Sequence, residues 1–202
     1  MYIGRFVILG KTAEGGWFVG YRVSSRSFPN RRIVAQKDRA VVLPTPDAPP
    51  SDNPYISYNC LRTRGNIVVA GNGSQVDPIM DKVSIGYPLR DAIALSLLAL
   101  DYEHDQYNTP RVVAALDGQA GMGYLAIVAA DKLYAKQMIL APGQACLAAT
   151  YELTEPTPIH LAGDSADELC NAIFDCEYEL PVAALAALQA NGELQMATRS
   201  AR

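Results

Sequence analysis

Trp17-Phe18-Val19-Gly20-Tyr21-Arg22-Val23-Ser24 alternates with a period of two, and this stretch decides the fold class. Trp17, Tyr21 and Val23 fall on one face of a strand, with Arg22 and Ser24 on the other. If the strand persists, Arg26 joins Arg22 and Ser24, so that three anion-binding side chains line one face at its end. Before it, residues 2–9 are apolar and β-rich, and residues 11–16 supply a glycine-containing turn. The chain therefore opens on paired strands.

The same reading carries outward along the chain. Phe28-Pro29-Asn30 interrupts the run, and residues 40–43 give another short strand. Residues 44–54 hold five prolines and read as a loop inside one domain, since a further strand follows at residues 55–62. Arg64-Gly65-Asn66 turns the chain into a strand over residues 67–70, and Gly71-Asn72-Gly73-Ser74 leads to a helix over residues 78–85. Pro88 opens a second helix in which Leu89, Ile93, Leu97 and Leu100 recur at helical spacing. Its apolar character on nearly every side predicts burial between layers. Strands are expected over residues 111–116, 124–129, 132–138 and 146–150. Helices are expected over 165–174 and 181–190, the second stopped by Asn191-Gly192. Residues 196–202 read as a frayed tail. The order of elements predicts a single α+β domain spanning residues 1–202, two sheets sandwiched between helical layers.

Composition narrows the function. The 202 residues build one sizeable core, and no apolar stretch approaches the roughly 18 residues of a membrane span. The start Met1-Tyr2-Ile3-Gly4-Arg5-Phe6 lacks the regions of a secretory signal, which predicts a cytoplasmic protein that does not engage membranes. Cys60, Cys146, Cys170 and Cys176 form no C-x-x-C pair, and His104 and His160 are the two histidines, so no metal site is expected and the thiols read as buried and reduced. Residues 1–64 carry ten Lys or Arg against four acids, a net +6, which leaves −10 for the rest of a chain whose net charge is −4. An arginine-dominated first third suits an anionic small ligand. No basic run with interleaved aromatics extends beyond it, which argues against nucleic acid.

Five segments hold side chains fit for chemistry. Residues 22–31 place Arg22, Ser24, Ser25, Arg26 and Arg31 at a strand-to-loop junction, where forked donors and hydroxyls can surround a phosphate. Tyr58, Asn59 and Cys60 offer a phenol, an amide and a thiol at a strand end, which could polarise a carbonyl, but by themselves Tyr58 and Cys60 read as core residues of a half-buried strand. Gly71 to Ser74 precede a helix and can expose backbone N–H groups, although such turns are usually only turns. Asp101, Glu103, His104 and Asp105 cluster at the end of the apolar helix, where acids oppose the helix dipole. That cost favours a role in proton transfer. Arg111 opens the next strand, within reach of a salt bridge to Asp101 or Glu103, or of a ligand.

Taken together, Arg-Val-Ser-Ser-Arg-Ser-Phe-Pro-Asn-Arg (22–31), Asn-Pro-Tyr-Ile-Ser-Tyr-Asn-Cys (53–60), Gly-Asn-Gly-Ser (71–74), Asp-Tyr-Glu (101–103) and Tyr-Asn-Thr-Pro-Arg (107–111) resemble the archaeal-type IMP cyclohydrolases. The resemblance runs from Met1 to about Tyr151. It implies a four-layer αββα sandwich like that of the N-terminal-nucleophile hydrolases, but here Met1-Tyr2 offers no nucleophile to be uncovered by processing. It implies cyclisation of 5-formamidoimidazole-4-carboxamide ribonucleotide (FAICAR) to inosine monophosphate (IMP) with loss of water, in purine biosynthesis and without a cofactor. The expected ligands are purine ribonucleotides: FAICAR, its unformylated precursor AICAR, and IMP. Homo-oligomerisation is also expected. On this reading Arg22, Ser24, Ser25, Arg26, Asn72, Gly73, Ser74 and Arg111 bind substrate, while Tyr58, Asn59, Cys60, Asp101 and Glu103 do the chemistry. Two other readings stand beside it: an amidohydrolase with Cys60 as nucleophile, and a nucleotide-binding sensor without turnover.

Overall fold

The structure, a computed structural model, describes residues 1–51, 53 and 55–201. Strands come first: β1 (Phe6–Lys11), β2 (Trp17–Ser24), β3 (Arg31–Ala35), β4 (Arg39–Pro44), β5 (Tyr58–Arg64) and β6 (Ile67–Gly71). Helices α1 (Val76–Ser84) and α2 (Leu89–Leu100) follow, then β7 (Arg111–Asp117), β8 (Met122–Ala129), β9 (Lys132–Met138), β10 (Ala145–Ala149) and β11 (Thr157–Ile159). Helix α3 (Ala166–Phe174), β12 (Pro181–Ala190) and β13 (Glu193–Ser200) complete the chain. The class is α+β, with two antiparallel sheets and three helices among the described residues.

One sheet has six strands in the order β11-β10-β1-β2-β12-β13, and the other seven, β3 to β9 in sequence order. The period-two reading of β2 holds. Trp17, Val19, Tyr21 and Val23 enter a core shared with Val42, Tyr58, Cys60, Val112 and Leu125 of the other sheet. Phe18 and the opposite faces of β1 and β12 pack on α3 through Leu169, Cys170 and Ile173. Val69, Val113 and Tyr124 pack on α1 and α2. Each sheet is thus buried on two faces, which is why β2 is buried along its whole length.

Three expectations are corrected. Residues 181–190 form β12, not a helix. Alanine and leucine favour helix intrinsically, but here small side chains suit a strand squeezed between β2, β13, the opposite sheet and α3. Asn191 and Gly192, both at positive φ, make the tight turn of the β12–β13 hairpin rather than a helix stop. The supposed tail at 196–200 is paired in β13, against residues 183–187. Finally, α2 covers the sheet with Ile93 and Leu97 but leaves Leu98 69% exposed, so it lies on the outside and not between layers.

Candidate functional site

The start of β1, the end of β2, the end of β10 and the loops leading into β5 and β7 meet at one end of the two sheets. They surround a cavity of about 880 Å3. Among the described residues no helix is long and apolar enough to cross a membrane.

The floor is a charged cluster. Gly4 lets the chain turn into it: its φ is +71°, and a Cβ there would sit 2.2 Å from Thr150 Oγ1. That turn delivers Arg5, which donates to the Asn72 carbonyl at 2.8 Å and to Glu103 Oε2 at 2.7 Å. Glu103 is 1% exposed, yet its Oε1 has no hydrogen-bond partner among the described residues. Arg111 Nη1 lies 3.9 Å from that oxygen. Arg111 is held by the Asp101 carbonyl at 2.9 Å and by Gln75 Oε1 at 3.2 Å. Burial opposes the Arg5 charge, but Glu103 and the tyrosines Tyr58 and Tyr21 outweigh it and hold its pKa above the ordinary value. For Arg111 burial prevails and lowers the pKa, against the pull of Glu103. The result is a dry carboxylate with one oxygen locked and one free.

Backbone turns keep it there. Glu103 bridges Thr109, its N–H donating to that carbonyl at 2.8 Å. Asp105 takes the Thr109 N–H and hydroxyl, at 2.9 and 2.7 Å, and Thr109 in turn meets the Tyr151 hydroxyl at 2.9 Å. Burial would raise the Asp105 pKa, but the bonds from Thr109 and Tyr107 prevail and lower it. Gly73 leaves room for the cluster: a Cβ would lie 2.9 Å from Arg111 Nη1 and 3.1 Å from Glu103 Oε1.

The opposite wall is the Ser24–Phe28 segment. Ser24 Oγ is buried without a hydrogen-bond partner among the described residues. Ser25 Oγ accepts the Phe28 N–H at 2.9 Å and folds the loop so that Ser24 to Phe28 all face the cavity. Arg26 lies 4.1 Å over the Tyr2 ring, which stacks on Tyr151. Arg31, tied to the Phe28 carbonyl at 3.0 Å, also lines the cavity.

Of the residues singled out by sequence, Ser24, Ser25, Arg26 and Glu103 line the cavity, and Asn72, Gly73 and Arg111 support its floor. Tyr58 sits beside the floor, its hydroxyl bonded to that of Tyr21. Five do not reach it. Arg22 points toward α3, where it donates to the carbonyls of Cys176 at 2.8 Å and of Tyr178; on β2 it faces α3 together with Phe18. Asn59 turns to α1 and donates to Asp77 at 2.9 Å. Cys60 is buried between the sheets, its thiol donating to the Ala40 carbonyl and its pKa pushed far up by burial. Asp101 is half-exposed, paired with Tyr102 N–H and His104. Ser74 is exposed just ahead of α1 and does not line the cavity. Arg5, Tyr2, Thr109 and Tyr151 were not legible as site residues; a lone arginine after glycine at the head of an apolar strand was the available signal for Arg5.

Fold and cavity together define an α+β protein whose pocket sets arginines and hydroxyls at its rim against a buried carboxylate at its floor. Residues 2–193 match the model of the IMP cyclohydrolase-like proteins. The chain is 48% identical to the IMP cyclohydrolase of Natronomonas pharaonis, across 96% of this chain and 95% of that one. It is 44% identical to that of Methanococcus aeolicus, across 98% and 100%, and 44% to that of Haloquadratum walsbyi, across 96% and 94%. The chain belongs to the IMP cyclohydrolase-like family.

Proposed function

We propose that this chain is an IMP cyclohydrolase of purine biosynthesis, closing the ring of FAICAR with loss of water. The observation that carries the reading is Glu103: a carboxylate with one oxygen fixed by Arg5 and the other free, beneath an arginine- and serine-rimmed cavity, in a chain of this family. The nucleophile is the substrate's own carboxamide nitrogen, so the protein's task is to orient, polarise and move protons. Holding the formyl carbon against that nitrogen can supply up to about 7–11 kcal/mol.

Ser24, Ser25, Arg26 and Arg31 take the phosphate. Glu103 Oε1 accepts the proton released as nitrogen attacks the formyl carbon. The formyl oxygen takes a proton from Tyr58 as the C–N bond forms, becoming the hydroxyl of a carbinolamine. Glu103 then returns its proton to that hydroxyl, which leaves as water. A second ring proton, released to Tyr58, restores both groups, so the cycle balances without an added reagent. Arg5 and Arg111 set two positive charges against Glu103. Arg22, Asn59, Cys60 and Asp101 take no part in this scheme.

The finer architecture belongs to the same proposal: a single catalytic domain whose four layers correspond to the αββα sandwich of the N-terminal-nucleophile hydrolases. So do a cytoplasmic site of action and assembly into a homo-oligomer, which light scattering tests. Incubating the purified chain with FAICAR and following IMP by absorbance tests the activity. Binding without turnover would overturn it and leave a nucleotide sensor.

A further inference from the structure

Tyr21 lies in the middle of β2 and Tyr58 at the head of β5, so their rings come from different sheets. Their hydroxyls meet at 2.6 Å. Neither has another hydrogen-bond partner among the described residues. Each phenol owns one proton and their mutual bond uses one, so the direction of donation decides where the other points.

If Tyr58 donated, the Tyr21 proton would face the dry core between the sheets with nothing to accept it, because Tyr21 is 0% exposed. Buried donors are rarely left in that state. If Tyr21 donates, Tyr58 keeps its proton on a side chain that remains 8% exposed. The cavity is lined close to the pair by Ile56, two residues before Tyr58, and by Arg5, whose own pKa both phenols help to raise.

We propose that Tyr21 is a positioning residue that donates to Tyr58 and thereby leaves the Tyr58 O–H directed at a ligand oxygen in the cavity. On the cyclohydrolase reading, on which this rests, that oxygen is the formyl oxygen as it gains charge. A hydroxyl that accepts one hydrogen bond is the stronger donor of the next. Burial first, and the neighbouring Tyr58 second, raise the Tyr21 pKa well above its ordinary value despite Arg5, so it holds its proton for this task.

Tyr21→Phe removes the donor and keeps the ring in the core. With FAICAR as substrate, kcat is expected to fall about tenfold, the rate equivalent of one hydrogen bond, with KM within about twofold of wild type. Tyr58→Phe should fall further, and adding Tyr21→Phe to it should cost no more rate, because the proton it positions is gone. Thermal melting of all variants checks that each is folded. An unchanged kcat in Tyr21→Phe overturns the role, as does an equal loss in both backgrounds, which would mark a packing effect. A wild-type chain that makes no IMP overturns the cyclohydrolase reading and this inference together; an active wild type with a silent Tyr21→Phe overturns the inference alone.

Discussion

Arg22 and Arg26 sit four residues apart in the same arginine-rich segment, and the structure gives them opposite assignments. Replacing each in turn separates those assignments. Arg22 is fully buried, lies over the Phe6 ring, and serves the carbonyls of Ile173, Cys176 and Tyr178 at the end of α3. Arg22→Met keeps much of the volume but strands those acceptors. Each unmet buried group costs about 1–3 kcal/mol, so a loss of roughly 3–5 kcal/mol is expected after partial relaxation. For a chain of this size each kcal/mol moves Tm by about 2–4 °C, which places the variant roughly 6–20 °C below wild type. Its KM for FAICAR, measured at a temperature where it is still folded, should stay within about twofold. Arg26→Ala should show the reverse: an unchanged Tm and a KM raised about tenfold or more, the loss of a charge-assisted contact to phosphate. The two measurements are differential scanning calorimetry and initial rates of IMP formation. A normal Tm for Arg22→Met, with a raised KM, would refute the structural assignment of Arg22 and return it to the ligand.

Glu103→Gln keeps the shape of the floor and removes the proton acceptor; kcat should fall about 100- to 10,000-fold, measured by IMP formation. Cys60→Ala should retain turnover, and iodoacetamide should leave Cys60 unmodified in the folded protein by mass spectrometry, since burial holds the thiol protonated. Loss of activity in that variant without loss of fold would restore the amidohydrolase reading. The lowered pKa of Asp105 means that its contribution to stability is complete above the ordinary aspartate range, about 3.9, and is lost as pH falls through the folded value. Asp105→Asn should therefore flatten the acid limb of the stability curve below about pH 4, read from denaturant midpoints, while wild type loses that increment.

Local pattern made the strands around Trp17–Ser24 legible, because alternation survives wherever one strand separates two packed layers. It failed at residues 181–190, where both faces are packed and alanines fill the tight spaces, so that no polar face marks the period. Asn191-Gly192 was the contrary signal, a two-residue hairpin turn that reads equally as a helix stop. The cavity rim was legible from the density of arginine and serine in residues 24–31, and Glu103 from its unfavourable place after a helix. Arg22 was misassigned because period two tells which face a side chain takes but not what lies beyond that face. Arg5 and Tyr21 depend on contacts between distant segments, 98 residues apart for Arg5 and Glu103, which a single sequence does not display.

The strand order carries a consequence for how this chain comes to exist. In the six-stranded sheet β2 lies between β1 and β12, a neighbour early in the chain and one near its far end. Until residues 181–190 leave the ribosome, one side of β2 is an open row of unpaired N–H and C=O groups. Arg22, which that strand buries, waits for carbonyls 151 residues further on. Closure is long-range and late, a topology associated with slow folding and with exposure of a sticky edge on the way. Truncation before β12 should thus yield an insoluble nascent chain, and synthesis of the last hairpin becomes the event that commits the whole molecule to its final state.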